Sequence, residues 1–116
     1  MKTKEARLDT RAKVMTLAQA AGLAVETLVV GYFDPLLAGN VARLTALGGP
    51  VTLSLLDPPD EILPAQARAE LAASLACVER VILGDARGIV HARQTVDCTK
   101  ADLETRQKLI QRIRQS

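Results

Sequence analysis

The sequence contains very few aromatic residues, and this scarcity limits both its core and its ligands. Among 116 residues there are one phenylalanine, one tyrosine and no tryptophan, while 48% of the residues are hydrophobic. We therefore expect one small domain, residues 1–116, with a core of aliphatic side chains and alanine. Few rings argue against base stacking, and a net charge of only +2 provides no strongly basic surface, so we expect no nucleic-acid partner.

Cysteine, histidine and long apolar runs are also scarce. Cys77 and Cys98 form no CxxC pair, and no signal-peptide pattern precedes them, which predicts reduced thiols in a cytoplasmic protein. His91 is the only histidine and has no partner at metal-ligand spacing, so we expect no metal centre. No apolar run approaches the ~20 residues that a membrane span requires, so no membrane partner is expected.

What the sequence does contain is an alternation of apolar strands and helical segments. Helices are predicted over 9–21, 37–47, 64–77 and roughly 100–114, and strands over 27–30, 51–56, 80–83 and 89–92. The first helix is indicated by strong helix formers that end at Gly22, and the last by a capping box between Thr99 and Asp102. This alternation predicts an α/β fold, a three-layer Rossmann-like open parallel sheet flanked by helices.

The segment from Gly31 to Asn40, GYFDPLLAGN, lies where a predicted strand meets a helix. At that position a glycine allows close backbone approach to a ligand, and free N–H groups at the helix start bind phosphate. The segment resembles the nucleotide-binding turn of the cytidylyltransferase-like nucleotidyltransferase superfamily, whose motif is Gly-x-Phe-Asp-x-Leu-His-x-Gly-His. The matching residues are Gly31, Phe33, Asp34, Leu36 and Gly39, while Leu37 and Asn40 stand at the two histidine positions.

A second block, Arg68 to Leu83, resembles the arginine-containing helix and following strand in the adenylyltransferase domain of ADP-heptose synthases, and the likeness spans residues 8–85. The resemblance implies AMP transfer from ATP to a small phosphorylated substrate with release of pyrophosphate, with ATP or CTP and Mg²⁺ as cofactors and a homodimer as the assembly. It also implies a catalytic role for Asn40 and a nucleotide-binding set comprising Gly31, Tyr32, Phe33, Asp34, Leu37, Gly39 and Arg68.

The replaced histidines bear directly on catalysis. Leu37 cannot donate a hydrogen bond to phosphate from its side chain, and Asn40 can donate one but cannot carry positive charge. Asp57 and Asp60 also stand in the loop where the family has a lysine, and Thr99 alone represents a Ser/Thr-rich phosphate-binding segment, although a single threonine there is typical of an N-cap. We therefore expect nucleotidyl transfer to be lost or weakened.

Several alternatives remain open at this stage. Asp34 fits a helix cap as well as a nucleotide contact, and Arg68 fits the solvated face of an alanine-rich helix. The chain is also compatible with an active adenylyltransferase in which Asn40 substitutes for histidine. A third possibility is a non-catalytic binding or oligomerisation module, suggested by an apolar stripe on the last helix, formed by Leu103, Ile110 and Ile113.

Overall fold

Five parallel strands form one open sheet in the computed structural model, which describes residues 10–115. The strands are β1 (Val14–Thr16), β2 (Ala24–Gly31), β3 (Val51–Leu55), β4 (Val78–Leu83) and β5 (His91–Asp97). Their order is β1-β4-β3-β2-β5, so the chain adds β3 and β4 on one side of β2 and then returns to place β5 on the other. The carboxyl ends of β2 and β5 therefore form a topological switch point, where such sheets bind ligands.

Helices cover both faces of this sheet. A short 3-10 helix (Thr10–Lys13) precedes β1, and the α-helices are α1 (Leu17–Ala20), α2 (Ala38–Ala46), α3 (Ala65–Ala73) and α4 (Thr99–Gln115). Helices α2 and α3 pack on one face, while α1 and the segment 84–90 pack on the other. The predicted three-layer Rossmann-like fold is thus confirmed. Within residues 10–115 no helix is both long enough and apolar enough to cross a membrane.

Strand β3 lies in the middle of the sheet, and all five of its side chains are buried. Two of them are polar, Thr52 and Ser54. Ser54 donates its hydroxyl to the Gly84 carbonyl over 2.6 Å and accepts from the Ala86 amide over 2.8 Å. A buried hydroxyl is tolerated when it is hydrogen-bonded in this way. These two bonds fix the loop after β4 against the centre of the sheet.

The helix predicted over 9–21 is wrong for the residues that the structure describes. Val14, Met15 and Thr16 instead form the edge strand β1, paired in parallel with Val81 to Leu83 of β4. Pairing with β4 satisfies the backbone N–H and C=O groups that a helix would have satisfied within the segment. Tertiary contacts of this kind commonly override a local helix propensity. Helix α1 begins only after Thr16, whose hydroxyl accepts from the Gln19 amide. Either Asp9 or Thr10 could have capped the predicted helix; Asp9 lies outside the described residues, and Thr10 begins the 3-10 helix.

The other predicted elements match the structure more closely. The helix at 37–47 and the strands at 27–30, 51–56 and 80–83 are confirmed to within a few residues, while the helix at 64–77 ends at Ala73 and the strand at 89–92 lies at 91–97. The capping box at the start of α4 is wrong. Asp97 accepts hydrogen bonds from the Thr99 amide and hydroxyl, and the Asp102 side chain points to another partner.

Candidate functional site

The turn that follows β2 directs two consecutive backbone amides, those of Tyr32 and Phe33, at one point in space. Phe33 has a φ of 48°, in the left-handed region that is uncommon for a bulky residue, and its ring is buried in the core. Such a conformation persists when surrounding contacts hold it, and it occurs often at functional sites. The peptide bond between Asp34 and Pro35 is cis.

The point at which both amides converge is occupied by the carboxylate of Asp102, in the first turn of α4. Its Oδ2 accepts from the Tyr32 amide over 2.8 Å and from the Phe33 amide over 3.3 Å. A Cβ atom on Gly31 would lie 2.5 Å from that same oxygen. The first glycine of the motif therefore allows close approach by a carboxylate of the chain itself.

Asn40, predicted to be catalytic, is buried and has both ends of its side-chain amide engaged. Its Nδ2 donates to Asp102 Oδ1 over 2.9 Å, and its Oδ1 accepts from the Leu37 amide over 2.9 Å. Leu37 is the N-cap residue of α2, and Gly39 is exposed in the first turn of that helix. The structure thus brings Tyr32, Phe33, Leu37 and Asn40 together around Asp102, which the sequence prediction did not include.

Asp34 organises a neighbouring loop and does not cap α2, so the prediction of a helix cap is wrong. Its carboxylate accepts from the backbone amides of Ile62 and Leu63 over 2.6 and 2.8 Å, and the residue is 4% exposed. These two bonds hold the loop between β3 and α3 against the turn after β2. The sequence provides little signal for this contact because both donors belong to the backbone.

Arg68 is completely buried, so its predicted alternative placement on a solvated helix face is also wrong. All five of its guanidinium N–H groups have acceptors within 3.2 Å, on the turn after β2, the end of β3 and the loop before α3. The acceptors are the carbonyls of Tyr32, Leu56 and Leu63 and the carboxylates of Asp57 and Glu61. Arg68 therefore holds together three segments at the carboxyl ends of the strands, and it has no N–H group left for a phosphate.

Charged groups lie close together around the turn. Burial raises the pKa of Asp102, and the amides of Tyr32 and Phe33, with Arg43, oppose that rise. Arg106 of α4 is also buried, and its Nε lies 3.6 Å from Asp34 Oδ2 without a hydrogen bond. The site consequently contains its own anions and cations, with Arg106 beside Asp34 and Arg43 acting on Asp102.

The space around Asp102 is small. The gap bounded by Asp34, Asn40, Asp102 and Arg106 is too narrow for a water molecule. A larger cleft, of about 340 Å³, opens at the carboxyl ends of β3 and β4. Two carboxylates line it, and each is paired: Asp57 with Arg68, and Asp85 with Arg87. Asp60 is exposed in the adjoining loop.

The remaining candidate residues lie outside this cluster. His91 is exposed in β5, and Cys77 and Cys98 are free thiols. Within the described part of the chain, no three His, Cys, Asp or Glu side chains come together as a metal ion would require. The donors that an Mg²⁺-bound nucleotide phosphate would need at the turn are held by Asp102, so the residues in this arrangement do not fit ATP or CTP.

Comparison with models of known protein families gave no match, and comparison with curated proteins gave none either.

Proposed function

We propose that this chain is a nucleotidyltransferase-like domain, related to the sugar-phosphate adenylyltransferases, in which nucleotidyl transfer has been lost. The observation that carries the proposal is the Asp102 carboxylate, hydrogen-bonded to the Tyr32 and Phe33 amides of the motif turn. The two missing histidines, at Leu37 and Asn40, support the same conclusion from the sequence.

Electrostatics gives the physical reason. Nucleotidyl transfer accumulates negative charge on phosphate oxygens, and catalysis depends on positive or hydrogen-donating groups placed in advance. A carboxylate held at the turn supplies charge of the wrong sign. Two like charges about 4 Å apart repel by roughly 4 kcal/mol at the effective dielectric of a protein surface. That repulsion would oppose both the binding of a triphosphate and the transition state.

The polar side chains expected to act on the nucleotide are already engaged elsewhere. Asn40 donates its side-chain amide to Asp102 and accepts a hydrogen bond from the Leu37 amide. Arg68 donates all of its guanidinium N–H groups to acceptors within the protein. In this proposal both residues keep the turn and its neighbouring loops in place. They have a structural role derived from a binding site.

One observation favours a second candidate, a non-catalytic binding or oligomerisation module on the same fold. On α4, Leu109 and Ile110 are half-buried and Ile113 is 64% exposed, and Lys108 and Arg114 are exposed on the same half of the helix. A contiguous apolar patch at the surface is typical of a region that contacts a partner. Sedimentation velocity tests the homodimer: a dimer that Ile110→Asp converts to a monomer supports this candidate.

The main proposal is tested by pyrophosphate release. The wild-type protein is incubated with ATP or CTP, Mg²⁺ and a panel of sugar and alditol phosphates, and we expect no release above a protein-free blank. A double variant that restores histidine, Leu37→His with Asn40→His, is expected to gain nothing, because Asp102 remains at the turn. Release by the wild type that Asn40→Ala abolishes, but the exposed α3 variant Gln66→Ala does not, would overturn the proposal.

A further inference from the structure

We infer that α4 is a self-closing strap, whose Asp102 carboxylate competes with phosphate-like anions for the turn after β2. The inference rests on the proposed function in one respect, that this turn descends from a phosphate cradle. It goes further by assigning a movable element and a direct competition between that element and a ligand.

Helix α4 is attached to the rest of the domain mainly through polar contacts. Its two buried residues are both charged, Asp102 and Arg106, and neither belongs to an apolar core cluster. Asp102 binds the turn and Asn40, and Arg106 lies against Asp34. Elements with few buried apolar contacts open at lower free energy than elements packed into a core. Polar groups that can exchange partners hold this helix in place.

The hydrogen-bond donors that converge on Asp102 could also bind another anion. The Tyr32 and Phe33 amides and the Asn40 side-chain amide form a three-donor cradle around a single carboxylate. If α4 withdrew, these donors would lose their acceptor, and a buried donor without an acceptor is costly. A phosphate-like anion can accept all three hydrogen bonds, so it can stabilise the open state only by displacing Asp102.

Charge supports the same exchange. The guanidinium of Arg43, exposed on α2, opposes the rise in the pKa of both the Asp102 carboxyl and the Cys98 thiol, so a cation on a second element acts on the group that the cradle holds. Withdrawal of α4 would remove the Asp102 carboxylate from the three donors and the Arg106 guanidinium from Asp34, and Arg43 would stay in place. The open cradle would therefore favour an anion, while the closed cradle excludes it.

The first experiment compares two variants of α4 that remove the same charge. Asp102→Ser removes the internal competitor, and Glu104→Ser removes an exposed carboxylate two residues away on the same helix. Calorimetric titration with inorganic pyrophosphate is expected to give at least about tenfold tighter binding for Asp102→Ser than for the wild type. The reason is that the apparent affinity of a site falls in proportion to the fraction of molecules in which the site is open. Glu104→Ser should match the wild type. Equal affinities for all three proteins would overturn the inference.

A second measurement uses the unaltered chain and remains decisive if Asp102→Ser does not fold. Amide hydrogen exchange is recorded with and without saturating pyrophosphate, and we expect faster exchange in α4 while β3 is unchanged. Unchanged exchange in α4 would overturn the strap. Neither measurement involves turnover, so a result that overturns the strap would leave the proposed loss of nucleotidyl transfer standing. Pyrophosphate release by the wild type would overturn the proposed function whatever the binding results.

Discussion

Asn40 donates its side-chain amide to the carboxylate of Asp102 over 2.9 Å, and this bond joins α2 to α4 across the mouth of the turn after β2. At a topological switch point, the groups at the ends of the strands usually face a ligand. Here they face each other, because Asp102 of α4 occupies the position where a bound anion would accept hydrogen bonds from the turn. The turn therefore functions as a joint between elements of the fold.

Two glycines of the motif should respond to alanine in opposite directions. A Cβ on Gly31 would meet Asp102 Oδ2 at 2.5 Å and the Phe33 ring at 2.8 Å, whereas a Cβ on Gly39 has nothing within 4 Å. We expect Gly31→Ala to lower the free energy of unfolding by about 1–3 kcal/mol through overpacking. Gly39→Ala, in the first turn of α2, should raise it by up to about 1 kcal/mol. Urea denaturation measures both, and a harmless Gly31→Ala would contradict the contact with Asp102.

Replacing Arg68 should destabilise the domain severely. Arg68→Met leaves the carbonyls of Tyr32, Leu56 and Leu63 without their donor, and breaking a buried charged network typically costs about 3–5 kcal/mol. Arg93→Met is the matched control, since the Arg93 side chain is 80% exposed and has one ion pair, with Glu26 at 3.6 Å. Thermal and urea unfolding of the control should stay within about 0.5 kcal/mol of the wild type. Similar losses in both variants would show that Arg68 has no special structural role.

The stability of the wild type relative to Asp102→Asn should fall as the pH rises. Burial raises the pKa of Asp102 above its ordinary value of 3.8, so the folded chain binds this proton more readily than the unfolded chain. The resulting stabilisation is complete below pH 3.8 and is lost as the pH passes through the higher pKa of the folded state. Asp85 and Asp97, whose pKa values are lowered, are present in both proteins and cancel in the comparison. Urea midpoints measured from about pH 4 to pH 8 provide the test. A wild type that becomes more stable relative to the variant as the pH rises would contradict the prediction.

The sequence was sufficient to predict the layers of the fold and insufficient to predict the inner contacts of the site. Strands β2, β3 and β4 were predictable because each is a short apolar run bounded by turn residues. Strand β1 was missed because its structure depends on pairing with β4, more than sixty positions away, and the local pattern of Val14 to Thr16 within helix-forming neighbours indicates a helix.

The site was missed for a related reason. The motif predicted where the turn lies and which residues surround it, and the structure brings most of them together there. Asp102 was assigned to a helix cap because an acid three residues after a threonine is typical of one, yet its partner Asn40 lies 62 positions away. The burial of Arg68 was equally hidden, since three of its five acceptors are backbone carbonyls that leave no mark on the sequence.

The most direct test of the central claim is an NMR pH titration of the Tyr32 and Phe33 backbone amides. If Asp102 accepts a hydrogen bond from each of the two amides, the amide chemical shifts should follow one common titration with a pKa above 3.8, and that titration should disappear in Asp102→Asn. Amide shifts that change with pH in the same way in the wild type and the variant would show that the carboxylate does not occupy the turn, and the account would be wrong.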